Sequence, residues 1–413
     1  MIAVLDREIH ILAGARTPIG RFRGQLSSYS APELGGLAVA AALSRASVPP
    51  TRVDMVTMGC VIASGLGEAP AKQAALAAGC PPSVYSRSVE NVCGSAMEAV
   101  VLTIDALILE RVRVAVAGGM ESRTNAPYLL SPRFLRNGKN YRRDEYLRLK
   151  KAGAYRWQYG ENAEEQASLS AIVDATAFDG LFWPVERKFM REYALAFARS
   201  LGFTAEVVNR AAASSHDKAR RARAEGLFDA EIVPAGDARR DEMASDEELE
   251  RMRLEAEKDV AAAFNTSTPA DNGAAVVLAG PGVASDLGLS PLARILGFSR
   301  VDRTAADFID APVQAVRELQ AALESRGLPG HAFTVMEINE AFGVQIPVFE
   351  ESFPQAAING SGGAVALGHP LGSAGVRLLV TLIHIMKQQG HRHGICAICY
   401  GGGGAAALAL EAL

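Results

Sequence analysis

Long apolar runs are missing from this chain of 413 residues, and no segment stays apolar for long enough to span a bilayer. No leader is expected either, because the opening Met1-Ile2-Ala3-Val4-Leu5-Asp6-Arg7-Glu8 brings in charge at once. The close, Glu411-Ala412-Leu413, is not the peroxisomal tripeptide. Neither sign of charge is in large excess. The net charge of −4 offers no basis for nucleic acid as a partner. Cysteine is scarce and uneven: Cys60, Cys80, Cys93, Cys396 and Cys399 make five, an odd number that argues against a disulfide framework and for a reducing compartment. Cys396 and Cys399 form a C-x-x-C, yet no second pair completes a zinc site, so no metal is expected. These absences together predict a cytoplasmic protein with no membrane partner.

What is present is a globular composition, with hydrophobic residues at 49% and charged residues at 21%. The length exceeds one ordinary core and predicts two or three domains. Residues 8–16 read as a buried strand. Ser30 and Pro32 open a helix whose apolar spacing runs through Leu34, Leu37, Ala38, Ala41 and Ala42. Val53–Gly59 is a strand, Ala71–Ala78 a short helix, and Ser86–Val89 a lead into Cys93. A helix then runs to about Leu109, with Cys93 expected in its first turn, and Val112–Ala117 is a further strand. This alternation indicates a layered α/β fold. Residues 122–259 change character. Charge crowds in at Arg142-Arg143-Asp144-Glu145-Tyr146 and again over Asp241–Asp259, so the region reads as a helical insertion outside the main core. Strand character returns at Ala274–Leu278, after Asp271-Asn272-Gly273.

The second half echoes the first in the same order. Ile9–Gly14 has a counterpart in Ala293–Gly297, and Val53–Gly59 in Phe333–Asn339. Gly94-Ser95-Ala96 recurs as Gly372-Ser373-Ala374, and Val114–Gly119 as Ala397–Gly402. Two similar layered halves could pack about a pseudo-two-fold axis, bringing the helix starts near Cys93 and after His369 together.

Four clusters carry chemistry. The first is Glu90-Asn91-Val92-Cys93-Gly94-Ser95-Ala96, where unpaired N–H groups at a helix start would favour a nucleophilic thiolate. The others are Glu337-Ile338-Asn339-Glu340-Ala341-Phe342, Asn359–Gly372 around Gly368-His369-Pro370, and Cys399-Tyr400-Gly401-Gly402-Gly403-Gly404. Taken singly, each has a plainer reading: buried structural cysteines, a hydrogen-bonded histidine, a flexible glycine turn. Glycines after Cys399 would also let a ligand approach backbone N–H groups suited to an oxyanion.

In order, these clusters resemble the thiolase family over most of the chain. The resemblance also includes Ala15-Arg16-Thr17-Pro18-Ile19-Gly20 and Gly118-Gly119-Met120-Glu121-Ser122. It implies an α/β thiolase fold of five layers (αβαβα), with two similar core domains and an inserted loop domain. The expected boundaries are 1–121 with 260–282, 122–259, and 283–413. It implies an acetyl-CoA C-acyltransferase that cleaves 3-ketoacyl-CoA with CoA, or runs the reverse Claisen condensation. CoA and acyl-CoA would be substrates, no resident cofactor is expected, and the chain would form a homodimer or homotetramer active in fatty acid metabolism. Cys93 would carry the acyl group, His369 would take its proton, and Cys399 would move a proton at the α-carbon. Asn339, through a water, and His369 would form one oxyanion hole; the N–H groups of Cys93 and Gly401 would form the other. Ser267, Thr268, Ala341 and Phe342 would contact substrate. Arg239 or Arg240 would either meet the CoA phosphates or belong to a solvated face. Within the fold the alternative is a ketoacyl-synthase-type condensing enzyme, against which Cys399 weighs. Outside enzymes it is a non-catalytic thiolase-like acyl-CoA-binding protein. Glu90, Ala96, Arg123, Phe189-Met190-Arg191 and Ser361 depart from the usual family residues.

Overall fold

The predicted strand at residues 8–16 is the buried end of a longer one, β1 (Ile2–Arg16), whose first residues are largely exposed. The structure, a computed structural model, describes residues 1–130, 172–328, 330 and 333–413. After β1 come a short strand β2 (Gly20–Arg21), helix α1 (Ala31–Arg45), β3 (Met55–Gly59), α2 (Pro70–Ala77), β4 (Tyr85–Val89), α3 (Ser95–Ile108) and β5 (Val114–Ser122). The N–H and hydroxyl of Ser30 both donate to Glu33, which fixes the start of α1 as its sequence predicts. β4 was read only as a connection. It is an edge strand with no fully buried residue, so it lacks the apolar run by which central strands are found.

The insertion contributes α4 (Ala175–Leu181), α5 (Met190–Ser200), α6 (Ala205–Ala224) and α7 (Asp246–Glu255). Arg142–Tyr146 lies outside the described residues. Asp241, which opens the charged stretch read as lying outside the main core, is not on a solvated face. Asp241 is buried and takes two hydrogen bonds from Arg16, at 2.6 and 2.8 Å, while Arg16 Nε donates to Glu231 at 2.7 Å. A pair of bidentate geometry satisfies both buried charges and ties the insertion to the end of β1.

The chain then returns with β6 (Ala270–Ala279), which lies between β1 and β5. The second half follows as β7 (Ala293–Asp302), α8 (Ala311–Ser325), β8 (Val335–Ile338), α9 (Gln345–Ser352), β9 (Ala357–Ile358), α10 (Ala374–Gln389), β10 (His393–Tyr400) and β11 (Gly404–Ala412). All the strands of the two halves join in one eleven-stranded sheet, ordered β9-β8-β10-β11-β7-β1-β6-β5-β3-β4, with β2 on β6. The duplication is visible in this order. Outward from the seam between β1 and β7, each half runs antiparallel, antiparallel, parallel, parallel. One predicted echo is out of register. Met55 faces Ala115 while its counterpart Val335 faces Gly394, so Ala115 matches Gly394 and Met120 matches Cys399.

Five layers result. α3 and α10 are packed between the inner faces of the two half-sheets, with Met97, Val100, Ile104, Val376 and Leu379 in a common core. α1 and α2 cover the outer face of the first half, and α8 that of the second. Backbones at the centre pack without room for side chains: a Cβ on Gly119, in β5, would lie 2.1 Å from the carbonyl oxygen of Gly372, and one on Gly375, at the start of α10, 2.7 Å from the backbone nitrogen of Met97 in α3. The two halves therefore meet backbone to backbone beside Cys93 and His369.

Candidate active site

Cys93 stands between β4 and α3, in a turn whose preceding residue, Val92, has φ 46°. A β-branched side chain in the left-handed region costs about 1–3 kcal/mol and persists only where neighbours hold it. Three contacts do so here. The N–H of Val92 donates to Glu90 Oε1 at 2.9 Å, the N–H of Asn91 donates to Ser95 Oγ at 2.8 Å, and that hydroxyl donates to the carbonyl of Val92 at 2.6 Å. Cys93 is thus two residues ahead of the helix, with Gly94 as N-cap, and not inside its first turn as expected.

His369 arrives from the other half. Gly368 has φ 97°, a conformation that favours glycine, and turns the chain so that the His369 N–H donates to the carbonyl of Thr268 at 2.8 Å. Its Nε2 then lies 3.1 Å from Cys93 Sγ. The loop ahead of it is held by buried Glu340, which accepts from Ser215 Oγ at 2.7 Å, Asn359 Nδ2 at 2.7 Å and the Val365 N–H at 3.1 Å.

The remaining predicted residues surround this pair. Cys399 is the last residue but one of β10, buried among Met190, Ile309, Ala341, Phe342 and Val344, and it bears on Cys93 electrostatically. Its C-x-x-C partner Cys396 faces the opposite side of the strand, in the central core. Asn339 follows β8, buried, with neither amide atom hydrogen-bonded within the protein. Gly401 begins the turn after β10, and a Cβ there would lie 3.5 Å from Val92, beside Cys93. Ser267 donates to the carbonyl of Ala341 at 2.9 Å, so residues 266–268 run between the Ala341-Phe342 loop and His369. Arg239 and Arg240 are both exposed; Arg240 lines a surface cleft with Arg220 and Arg223.

The thiolase N-terminal domain family matches residues 9–280, and the thiolase C-terminal domain family matches 289–412. The chain belongs to the thiolase family. It is similar to acetyl-CoA acetyltransferase IA of Candida tropicalis, 36% identical over 98% of this chain and 97% of that protein. It is also similar to an acetyl-CoA acetyltransferase of Saccharomyces cerevisiae, 35% identical over 98% and 100%. The Acat5 thiolase of Ascaris suum, solved in complex with coenzyme A, superposes with TM-score 0.83 at 32% identity, covering 98% of this chain and 100% of that one. The five-layered arrangement is the thiolase fold, and the protein is an acyltransferase.

Electrostatics in this thiolase correct one expectation. Burial pushes the Cys93 thiol up, and Cys399 adds to the rise; Arg123 and the Cys93 N–H pull the other way without overcoming it. Burial, then Arg123 and Arg377, take His369 down to about 3. The resting pair is therefore thiol and neutral imidazole, not the thiolate that a helix start alone would favour. Loss of hydration outweighs a partial dipole charge.

Three positions receive no role from the sequence, although Glu121 lies in a family-like stretch and Arg123 is a departure from the family. Glu121 accepts from the N–H groups of Val61, Ile62 and Gly372, at 3.2, 3.2 and 2.8 Å, and so joins the halves next to the site. Arg123, where methionine is frequent in the family, is buried and donates to the carbonyl of Thr176 at 3.2 Å. Gln345 donates to Cys399 Sγ at 3.5 Å. Nothing in the spacing from Asn339 to Gln345 distinguishes a donor to sulfur from an ordinary helical glutamine.

Proposed function

We propose that this thiolase cleaves 3-ketoacyl-CoA with CoA, and runs the reverse condensation, through an acyl group on Cys93. The contact of His369 Nε2 with Cys93 Sγ carries this reading. His369, neutral at working pH, takes the thiol proton as Sγ attacks the 3-keto carbon. The bond between C2 and C3 then breaks, leaving the acyl group on Cys93 and an acetyl-CoA enolate. Cys399 gives its proton to the enolate carbon. As acetyl-CoA leaves, His369 gives up its proton and Cys399 regains one, which resets both groups; CoA thiol then attacks the acyl-cysteine and passes its proton to His369, which hands it to the departing sulfur of Cys93. The unpaired amide of Asn339, through a water, and His369 stabilise one oxyanion; the N–H groups of Cys93 and Gly401 stabilise the other. CoA enters as a substrate, in keeping with the coenzyme A bound to the Ascaris thiolase. The relatives named acetyl-CoA acetyltransferases favour a short acyl group, with acetoacetyl-CoA as the first substrate to test. Ser267 and Thr268, on the segment beside His369, would contact the pantetheine arm.

The deciding experiment separates the two cysteines. Cys399→Ser keeps the shape but is a far weaker acid, and losing a positioned acid/base costs about 10²–10⁴ in rate. It should nearly abolish thiolysis while still exchanging acetyl groups between acetyl-CoA and labelled CoA. Cys93→Ala should lose both activities, and mass spectrometry after acid quench should place the acyl group on Cys93. Parallel loss of exchange and thiolysis in folded Cys399→Ser would refute the division of labour.

A further inference from the structure

Gln345 opens α9 and is completely buried. Its amide has one possible orientation. Oε1 accepts the N–H of Phe342 at 3.2 Å, and Nε2 donates to the carbonyl of Ile309 at 3.0 Å. Both partners are backbone groups with fixed roles, so oxygen and nitrogen cannot be exchanged. The second hydrogen on Nε2 is left to Cys399, whose Sγ lies 3.5 Å away.

We propose that Gln345 is the positioning residue for Cys399, holding its sulfur through a donor-only contact that steers the S–H proton toward the substrate. The proposal rests on the reading that Cys399 moves the α-proton. Nε2 cannot accept a proton, so the S–H cannot turn back toward Gln345. It points away, into the space shared with Asn339 and Cys93. When Cys399 has given up its proton, the same N–H becomes a charge-assisted hydrogen bond to the thiolate. Among the described neighbours of Cys399, Met190, Ile309, Phe342 and Val344 are apolar, and Tyr193 on α5 and Cys93 are titratable. Burial raises the Cys399 thiol, and Gln345, then Asn339, pull the other way.

The test uses the full-length enzyme, with Gln345→Met removing the donor and Gln345→Glu replacing it with an isosteric acceptor. Initial rates of acetyl-CoA condensation and of acetyl exchange with labelled CoA are measured from pH 6 to 10, and folding is checked by thermal melting. Loss of one donor to a charged group predicts that Gln345→Met lowers condensation about ten- to a hundredfold relative to exchange. In a Cys93→Ala background, iodoacetamide alkylation of Cys399 over the same pH range should be about tenfold slower in Gln345→Met, which moves its pH profile up by about one unit. Gln345→Glu should lower the ratio further. If both variants depress condensation and exchange equally, with an unshifted pH profile, Gln345 is only a packing residue and the proposal is wrong. Cys399→Ser run alongside separates the two levels: if it retains condensation, the role of Cys399 itself fails. If it abolishes condensation while the Gln345 variants keep the wild-type ratio and profile, only the role of Gln345 fails.

Discussion

Moving Cys93 and His369 out of water removes the hydration of whichever form is charged. With His369 down to about 3 and the Cys93 thiol pushed up, neither is ionised between pH 5 and 8 in the free enzyme. On the proposed mechanism, proton transfer then accompanies attack, as in a serine–histidine pair, instead of preceding it. Iodoacetamide checks this directly. Alkylation of Cys93 should climb about tenfold per pH unit through pH 9, because the thiolate fraction rises at that rate below the thiol's pKa. A rate that levels off below pH 7 would show a standing ion pair. The motifs that hold Cys93, His369 and Cys399 were readable in the sequence, and the family resemblance singled these three out; the structure brings His369 and Cys93 into contact. Their protonation was not readable, because it depends on the neighbours that exclude water.

α5 begins at Met190, which packs with Cys399, Ala341 and Phe342 and would lie 3.5 Å from a Cβ on Gly401. The helix thus brings one side chain of the insertion to the wall of the site, while Arg191 beside it turns outward to the carbonyl of Ala261 and to Asp259. Shortening that wall should admit a longer acyl chain. Met190→Ala is expected to shift kcat/KM toward longer 3-ketoacyl-CoAs over acetoacetyl-CoA by about tenfold, the scale of one or two methylenes in an apolar pocket. An unchanged ratio across a chain-length series, in folded protein, would remove the insertion from acyl selection. At this scale α1, α3 and the buried strands were readable from apolar spacing. β4 was not, because an edge strand needs no continuous apolar run, and the last echo was misaligned because runs of alanine and glycine carry little register information.

Across the whole molecule the insertion is anchored through Arg16, Glu231 and Asp241, with the Arg16 guanidinium also over the ring of Phe228 at 5.3 Å. Removing one partner leaves a buried charge uncompensated. Asp241→Ala should therefore destabilise the fold by about 3–5 kcal/mol, read as a lower urea midpoint; a midpoint within error of wild type would show that the anchor contributes nothing. The duplicated α/β plan and the motif order were determined by the sequence alone, because apolar periodicity and tight-turn residues act over a few positions. Tertiary structure decided the rest. Cys93 and His369 are 276 residues apart and meet only because glycine backbones let the two halves touch. Asp241 and Gln345 look like solvated and ordinary polar residues until folding removes the water around them. Their hydrogen-bond partners within the fold, most of them distant in the chain, then take the place of that water.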